Sequence, residues 1–68
     1  MRTVTIERTE DKTYRISSSV SGMGPDYASP ATLSARLTAF GVPTTELDKT
    51  IKRALGLEIG QKFSIDVP

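Results

Sequence analysis

The sequence predicts an α+β domain of order ββααβ, in which two helices pack on one face of a three-stranded sheet. Three observations support this class. Residues 2–20 hold two segments of alternating apolar and polar residues separated by the polar turn TEDK, residues 30–55 carry apolar residues three and four positions apart, and residues 62–67 alternate again. With 68 residues, 37% of them hydrophobic, we expect a single small globular domain over residues 1–68.

The first two segments are predicted to form a β-hairpin. Val4 and Ile6 share one face of the first segment, and Tyr14, Ile16 and Val20 share one face of the second. A period of two with β-branched and aromatic residues is typical of strands. The opposite face of the hairpin is then polar and exposed, and it would carry Thr3, Thr5, Glu7, Thr13, Arg15 and Ser17.

The first helix is predicted to begin at the pair Ser29 and Pro30. A serine at the N-cap can accept a hydrogen bond from an unpaired N–H group, and proline needs no donor at the first helical position. Gly41 is expected to end this helix in a left-handed conformation. The apolar stripe that the helix would bury consists of Leu33, Leu37 and Phe40.

A second helix is predicted after the Val-Pro pair, capped by Thr44 or Thr45 and ended by Gly56. With Thr45 as the cap, Asp48 falls three residues further on and imitates a capping box. The predicted apolar stripe of this helix consists of Leu47, Ile51 and Leu55.

The segment KFSIDV predicts the third strand, with Phe63, Ile65 and Val67 on one face. A hairpin of two helices returns the chain close to the place where it left the sheet. The third strand could therefore pair with either strand of the β-hairpin, and we expect it beside the first.

Composition argues against several classes of protein. The net charge is +1, and the chain has neither cysteine nor histidine, so it lacks the usual thiolate and imidazole ligands and the commonest general base. No apolar run approaches the length of about 18 residues that a membrane span requires. We therefore predict a cytoplasmic protein that is not an enzyme and has no catalytic residues, metal site, cofactor or membrane partner.

The segment SSSVSGMGPDYASP, residues 17–30, is glycine-rich and leads from a strand to a helix. Its glycine spacing matches neither the dinucleotide-binding nor the P-loop pattern, and no lysine follows it. The simplest interpretation is a connecting loop at residues 22–29. If the loop has a function, Met23, Asp26 and Tyr27 are the candidate residues for binding a protein partner, since large side chains on loops are common anchors.

A DNA-binding alternative comes from the helix pair at residues 31–55, whose order of helix, turn and helix is loosely similar to that of a helix-turn-helix reader. The acidic Glu46 and Asp48 would repel phosphate, and a helical hairpin packed on a sheet explains the same sequence. Candidate contacts with the DNA grooves and phosphates are Thr44, Thr45, Lys49, Lys52 and Arg53. The basic residues of this helix, which Arg36 and Lys62 could join, are also explained by a solvated face.

The segment IKRALGLEIGQKFSIDV, residues 51–67, resembles the helix–turn–strand end of the swapped-hairpin transition regulators and antitoxins. The glycine–basic–aliphatic strand that leads these proteins and their closing strand have no counterpart here. The resemblance implies no function beyond support for the DNA alternative.

The function that we predict is a small non-enzymatic binding module for another protein. Its surface would be the 22–29 loop or the exposed face and edge of the sheet. A homodimer that buries an extra strand edge or helix face would help a domain of this size, because burial barely offsets the ordering entropy at this length. A structural subunit of a larger assembly is a third interpretation.

Overall fold

A computed structural model describes residues 2–20, 22 and 24–68, and it confirms the α+β class. The predicted topology is wrong in one detail, because the sheet has four strands rather than three. The elements, in chain order, are β1 (Arg2–Glu10), β2 (Thr13–Ser18), β3 (Asp26–Ala28), α1 (Leu33–Ala39), α2 (Thr44–Leu55) and β4 (Lys62–Val67).

The sheet is antiparallel throughout and has the strand order β3-β2-β1-β4. The β1–β2 hairpin is confirmed, although its turn is only Asp11 and Lys12, shorter than the predicted TEDK turn. The expected pairing of the last strand with the first is also confirmed, since β4 runs beside β1. Ile6 therefore lies at the centre of the sheet, opposite Ile16 on one side and Phe63 on the other.

The additional strand β3 lies in the segment predicted as a connecting loop. Its three residues pair with β2, with Tyr27 opposite Arg15 and Ala28 opposite Tyr14. Such a short strand has no room for alternating apolar residues, so the sequence pattern could not reveal it. Its effect is to make β2 an inner strand and to leave β3 and β4 as the two edges of the sheet.

The core lies between one face of the sheet and the two helices. α1 packs against β2 and β3, while α2 packs against β1 and α1. The buried apolar side chains are Val4, Ile6, Tyr14, Ile16, Ala28, Leu33, Leu37, Phe40, Val42, Ala54, Phe63 and Val67. All three residues of the predicted α1 stripe are among them. Val20 is not, because β2 ends at Ser18 and leaves Val20 exposed.

The start of α1 differs from the prediction, since the helix begins at Leu33. Ser29 and Thr32 instead close a turn around Pro30. The N–H of Thr32 donates to the carbonyl of Ser29 at 3.0 Å, and the N–H of Ser29 donates to the Thr32 hydroxyl at 2.9 Å. Ser29 thus belongs to a turn that precedes the helix, and the helix begins at Leu33, three residues after the predicted start at Pro30.

The end of α1 is as predicted. Gly41 has a φ of 93°, which is the left-handed conformation that glycine adopts at low cost. The N–H of Gly41 donates to the carbonyl of Thr38, and the N–H of Val42 donates to the carbonyl of Leu37. These bonds satisfy carbonyls that the last turn of a helix leaves free.

The predicted cap of α2 is wrong. Pro43, with an extended ψ of 147°, is the N-cap residue, and no side chain caps the helix. Thr45 and Asp48 form no capping box, because the helix already includes Thr44 as its first residue. Gly56 follows the helix, but its φ of −83° is an ordinary right-handed value rather than the left-handed stop seen at Gly41.

The buried stripe of α2 also differs from the prediction. The fully buried residues are Thr50 and Ala54, whereas Leu47 and Ile51 are partly buried and Leu55 is 46% exposed. The helix therefore turns small side chains toward the sheet. The larger, partly buried Leu47 and Ile51 also pack against the core.

Candidate functional site

The predicted partner-binding residues do not share one surface. Asp26 and Tyr27 are neighbours in β3, so their side chains project to opposite faces of the sheet. Tyr27 is 57% exposed on the face away from the helices, beside Arg15. Met23 lies outside the described residues. A role of these residues in binding stays a prediction.

The predicted nucleic-acid residues all lie on the exposed sides of α2. Thr44, Thr45, Lys49, Lys52 and Arg53 are each exposed. Within the described part of the chain, neither Lys49 nor Lys52 forms an ion pair. Arg53 is held differently, because its guanidinium lies over the ring of Phe63, 4.3 Å from the ring centroid.

A groove between α2 and β4 is a surface that the sequence did not indicate. It consists of two adjoining cavities, of about 340 and about 300 Å³, which share Glu46, Thr50 and Ile65. We call it the α2–β4 groove, defined by Glu46, Lys49, Thr50, Arg53, Phe63 and Ile65. The first cavity extends the groove toward Pro43 and Pro68.

The groove exists because α2 lies over β1 and presents a polar flank to β4. Positions 46, 49, 50 and 53 follow helical spacing and therefore lie on one side of the helix. Thr50 donates its hydroxyl hydrogen to the carbonyl of Glu46 at 2.8 Å, so its polar group is satisfied within the helix. No large apolar side chain from this flank covers Ile65, which remains partly exposed.

The outer edge of β4 adjoins this groove. β4 is the last strand of the sheet, and the N–H of Arg8 donates to the carbonyl of Gln61 at its start. In an antiparallel pair, successive residues direct their backbone groups alternately toward and away from the neighbouring strand. Phe63 and Ile65 therefore bond to β1, whereas the N–H and C=O groups of three residues point outward from the sheet. These residues are Lys62, Ser64 and Asp66.

Arg8 forms hydrogen bonds near the start of β4, at the end of the strand away from Pro68. Its guanidinium donates to the carbonyl of Leu57 at 2.6 Å and to the carbonyl and carboxylate of Asp11 at 2.6 and 3.0 Å. This arginine joins the hairpin turn to the connection between α2 and β4. The connection that leads into β4 is thereby hydrogen-bonded to the hairpin turn.

The groove did not follow from the apolar periodicity. Its signal was the polar set at positions 46, 49, 50 and 53, which has the same spacing as a buried stripe. The edge position of β4 follows from its expected place beside β1, and β3, at the other end of the sheet, does not change it.

Two classes of site are not found among the residues that the structure describes. None of the described helices is long and apolar enough to cross a membrane. In the same part of the chain, no three acidic residues come together in a way that could hold a metal ion. The predicted cytoplasmic location stays a prediction.

Comparisons with protein-family models, with curated proteins and with solved structures give no match for this chain.

Proposed function

We propose that this protein is a non-enzymatic protein-binding module whose binding surface is the outer edge of β4 together with the α2–β4 groove. The observation that carries the proposal is the outward direction of the backbone groups of Lys62, Ser64 and Asp66 on a six-residue edge strand. An extended polypeptide can add a strand to such an edge, because its own N–H and C=O groups match those of the edge.

The groove supplies the side-chain part of such a site. A strand added beside β4 would direct alternate side chains over Ile65 and toward α2. Ile65 is the partly exposed apolar floor, and Glu46 and Arg53 stand at opposite ends of the groove. Backbone pairing would then provide affinity, and the groove would select among side chains.

The edge suits a polypeptide better than a nucleic acid. Free amide and carbonyl groups in alternation complement another strand, and Asp66 and Glu46 would repel phosphates at this surface. DNA binding remains a second candidate, through the exposed cations of α2. It is favoured by Lys49 and Lys52, which are exposed and form no ion pair among the described residues.

Ser64→Pro tests the proposed surface. Proline removes the outward N–H of Ser64 and leaves the β1–β4 pairing intact, because that N–H does not bond to β1. Ser64→Ala is the matched control: it also loses the hydroxyl contact with Thr5, seen at 2.8 Å, but keeps the N–H. Circular dichroism would verify that both variants fold.

The probe is a display library of random extended peptides selected on the unaltered protein. We expect the selected peptides to bind the Ser64→Ala variant equally and the Ser64→Pro variant at least about tenfold more weakly, because a donor and the strand geometry around it are lost. Equal binding to all three proteins, or failure to select any peptide, would overturn the proposal.

Two further measurements distinguish the β4 edge from the other candidate surfaces, β3 and the cations of α2. Tyr27→Ala is expected to leave peptide affinity unchanged, and a loss would transfer the site to β3. Random duplex DNA, measured at low and moderate salt, is expected not to bind. Binding that falls steeply with salt and disappears in the Lys52→Glu, Arg53→Glu double variant would favour the DNA candidate instead.

A further inference from the structure

We infer that the strand added to β4 comes from a second copy of this chain, related by a two-fold axis that passes beside Ser64. This inference rests on the proposed function, since it names the partner of the same edge. In such a dimer, the two β4 strands run antiparallel and join the two sheets into one.

The register follows from the sequence of β4, which is self-complementary when Ser64 of each copy faces Ser64 of the other. Lys62 of one copy then lies opposite Asp66 of the second copy, and the two-fold axis repeats this pair. These are the residues whose backbone groups point outward, so the hydrogen-bonding pattern and the charge pattern agree on one register. Opposite charges directly across two antiparallel strands are stabilising.

On the face of the joined sheet that the helices cover, the same register pairs apolar residues. Phe63 of one copy lies opposite Ile65 of the second copy, because the residues between the outward-facing positions pair in the same order. Ile65, which is partly exposed in the single chain, would then lie beside the largely buried Phe63 of the second copy and the Arg53 guanidinium that lies over that ring. Aromatic and β-branched residues are favourable cross-strand partners.

The flanks of the two α2 helices are complementary as well. In one chain Arg53 lies over Phe63, whereas Glu46 lies near Ile65 and Asp66. The two-fold axis brings Arg53 of the second copy to the end of the groove that holds Glu46. Three strand spacings of about 4.8 Å separate the two β1 strands, so the helices that lie over them would be about 14 Å apart. An arginine and a glutamate side chain together span this gap.

The charges on β4 also determine which pairing is disfavoured. Charged residues on an edge strand usually oppose association with other strands. Here a lysine and an aspartate stand at equal distances on either side of Ser64. A shift of the register by two residues separates both ion pairs, so the charges select one antiparallel arrangement.

Sedimentation equilibrium from micromolar to millimolar protein tests the dimer. The mass should rise with concentration from that of the 7.4 kDa chain toward twice that value. Ser64→Ala should behave like the unaltered protein, and Ser64→Pro should stay monomeric over the same range. A monomeric unaltered protein at millimolar concentration would overturn the inference.

A charge exchange tests the register. Lys62→Asp places two carboxylates opposite each other at each pair, and Asp66→Lys places two ammonium groups there. Each variant alone should dimerise at least about tenfold more weakly, because attraction becomes repulsion at two positions. An equimolar mixture should recover the dimer, since each acidic strand then meets a basic one. No recovery in the mixture, with both variants folded, would overturn the register.

Amide hydrogen exchange provides an internal control in the unaltered protein. The outward amides of Ser64 and Asp66 should become protected as concentration rises, whereas the amides of Phe63 and Ile65 should be protected throughout by β1. A dimer that leaves the outward amides unprotected would use another surface and would overturn the inference.

These results remain separable from the proposed function. Peptides that bind the β4 edge of a strictly monomeric protein would leave the protein-binding module intact and refute the second copy as its partner. A dimer that forms equally well with Ser64→Pro would refute the second copy as the partner of this edge, and the peptide measurements alone would then decide the proposed function.

Discussion

The two halves of the sheet are built differently. On the side of β2 and α1, the side chains of Ile16, Leu33 and Leu37 are fully buried and close the core completely. On the side of β4, the flank of α2 is polar, and Ile65 remains partly exposed beneath it. We call these the closed half and the open half.

The contrast shows that one amphipathic helix can stabilise the core and leave a surface beside it. Both halves use helical spacings of three and four, but α1 carries large apolar residues at these positions whereas the flank of α2 carries Glu46, Lys49 and Arg53. Stability should therefore be concentrated in the closed half. The open half, which carries the proposed binding surface, should tolerate substitution.

The largest expected effect is that of Leu37→Ala. Leu37 is fully buried in the closed half, so the truncation removes buried apolar surface and leaves a cavity. We expect the free energy of unfolding, measured by urea denaturation, to fall by about 2–5 kcal/mol. Leu55→Ala is the matched control on α2, because Leu55 is 46% exposed, and it should cost less than about 1 kcal/mol.

The contrast between the two halves would be refuted if Leu37→Ala and Leu55→Ala lowered the free energy of unfolding by the same amount. Equal losses would mean that the exposed end of α2 contributes as much to the core as α1 does. The measurements should be made at low protein concentration, so that any association of the chains does not add to stability.

A smaller effect is expected for Arg8→Met, which keeps the apolar stem and removes the guanidinium. The bonds to Leu57 and Asp11 join the hairpin turn to the connection that precedes β4. Loss of charged hydrogen bonds to two carbonyls should lower the free energy of unfolding by about 1–3 kcal/mol.

Arg15→Met is the control for Arg8→Met. Among the residues that the structure describes, Arg15 forms one long ion pair, of 3.7 Å, with Glu7 on an exposed face, and its loss should cost less than about 1 kcal/mol. If Arg15→Met lowered the free energy of unfolding as much as Arg8→Met, the hydrogen bonds of Arg8 to Leu57 and Asp11 would not be what stabilises this end of the sheet.

The smallest effect distinguishes the ends of the two helices. Gly41→Ala forces a non-glycine residue into a left-handed conformation and should cost about 1–2 kcal/mol. Gly56 has an ordinary φ, and an added Cβ there would meet only carbonyl oxygens at 3.6 Å. Gly56→Ala should therefore be neutral or stabilising by up to about 1 kcal/mol. Thermal denaturation of both variants would show the difference, and a stabilising Gly41→Ala would contradict it.

The sequence predicted those features that depend on local periodicity. The β1–β2 hairpin, the α1 stripe and the strand β4 itself all follow from runs long enough to show a period. The place of β4 beside β1 was one of two pairings that a helical hairpin allowed. Gly41 was predictable because a left-handed helix end requires one type of residue.

The features that the sequence did not reveal depend on tertiary packing. β3 has three residues and exists because β2 offers them a free edge. In α2, Thr50 and Ala54 rather than Leu55 are buried, and the spacing of the large apolar residues did not indicate this side of the helix. The α2–β4 groove could not be predicted, because a polar set with helical spacing is typical of any solvated face.

The pairing of β1 with β4 has a consequence for the order in which the molecule is assembled. Thr3 contacts Asp66 across 63 residues of chain, so the inner strand β1 lacks one neighbour until the last strand is available. During synthesis on the ribosome, β1 and β2 can form a hairpin early, but the sheet cannot be completed until β4 has left the exit tunnel. Contacts at such separation slow folding, because the long intervening loop must close before they can form.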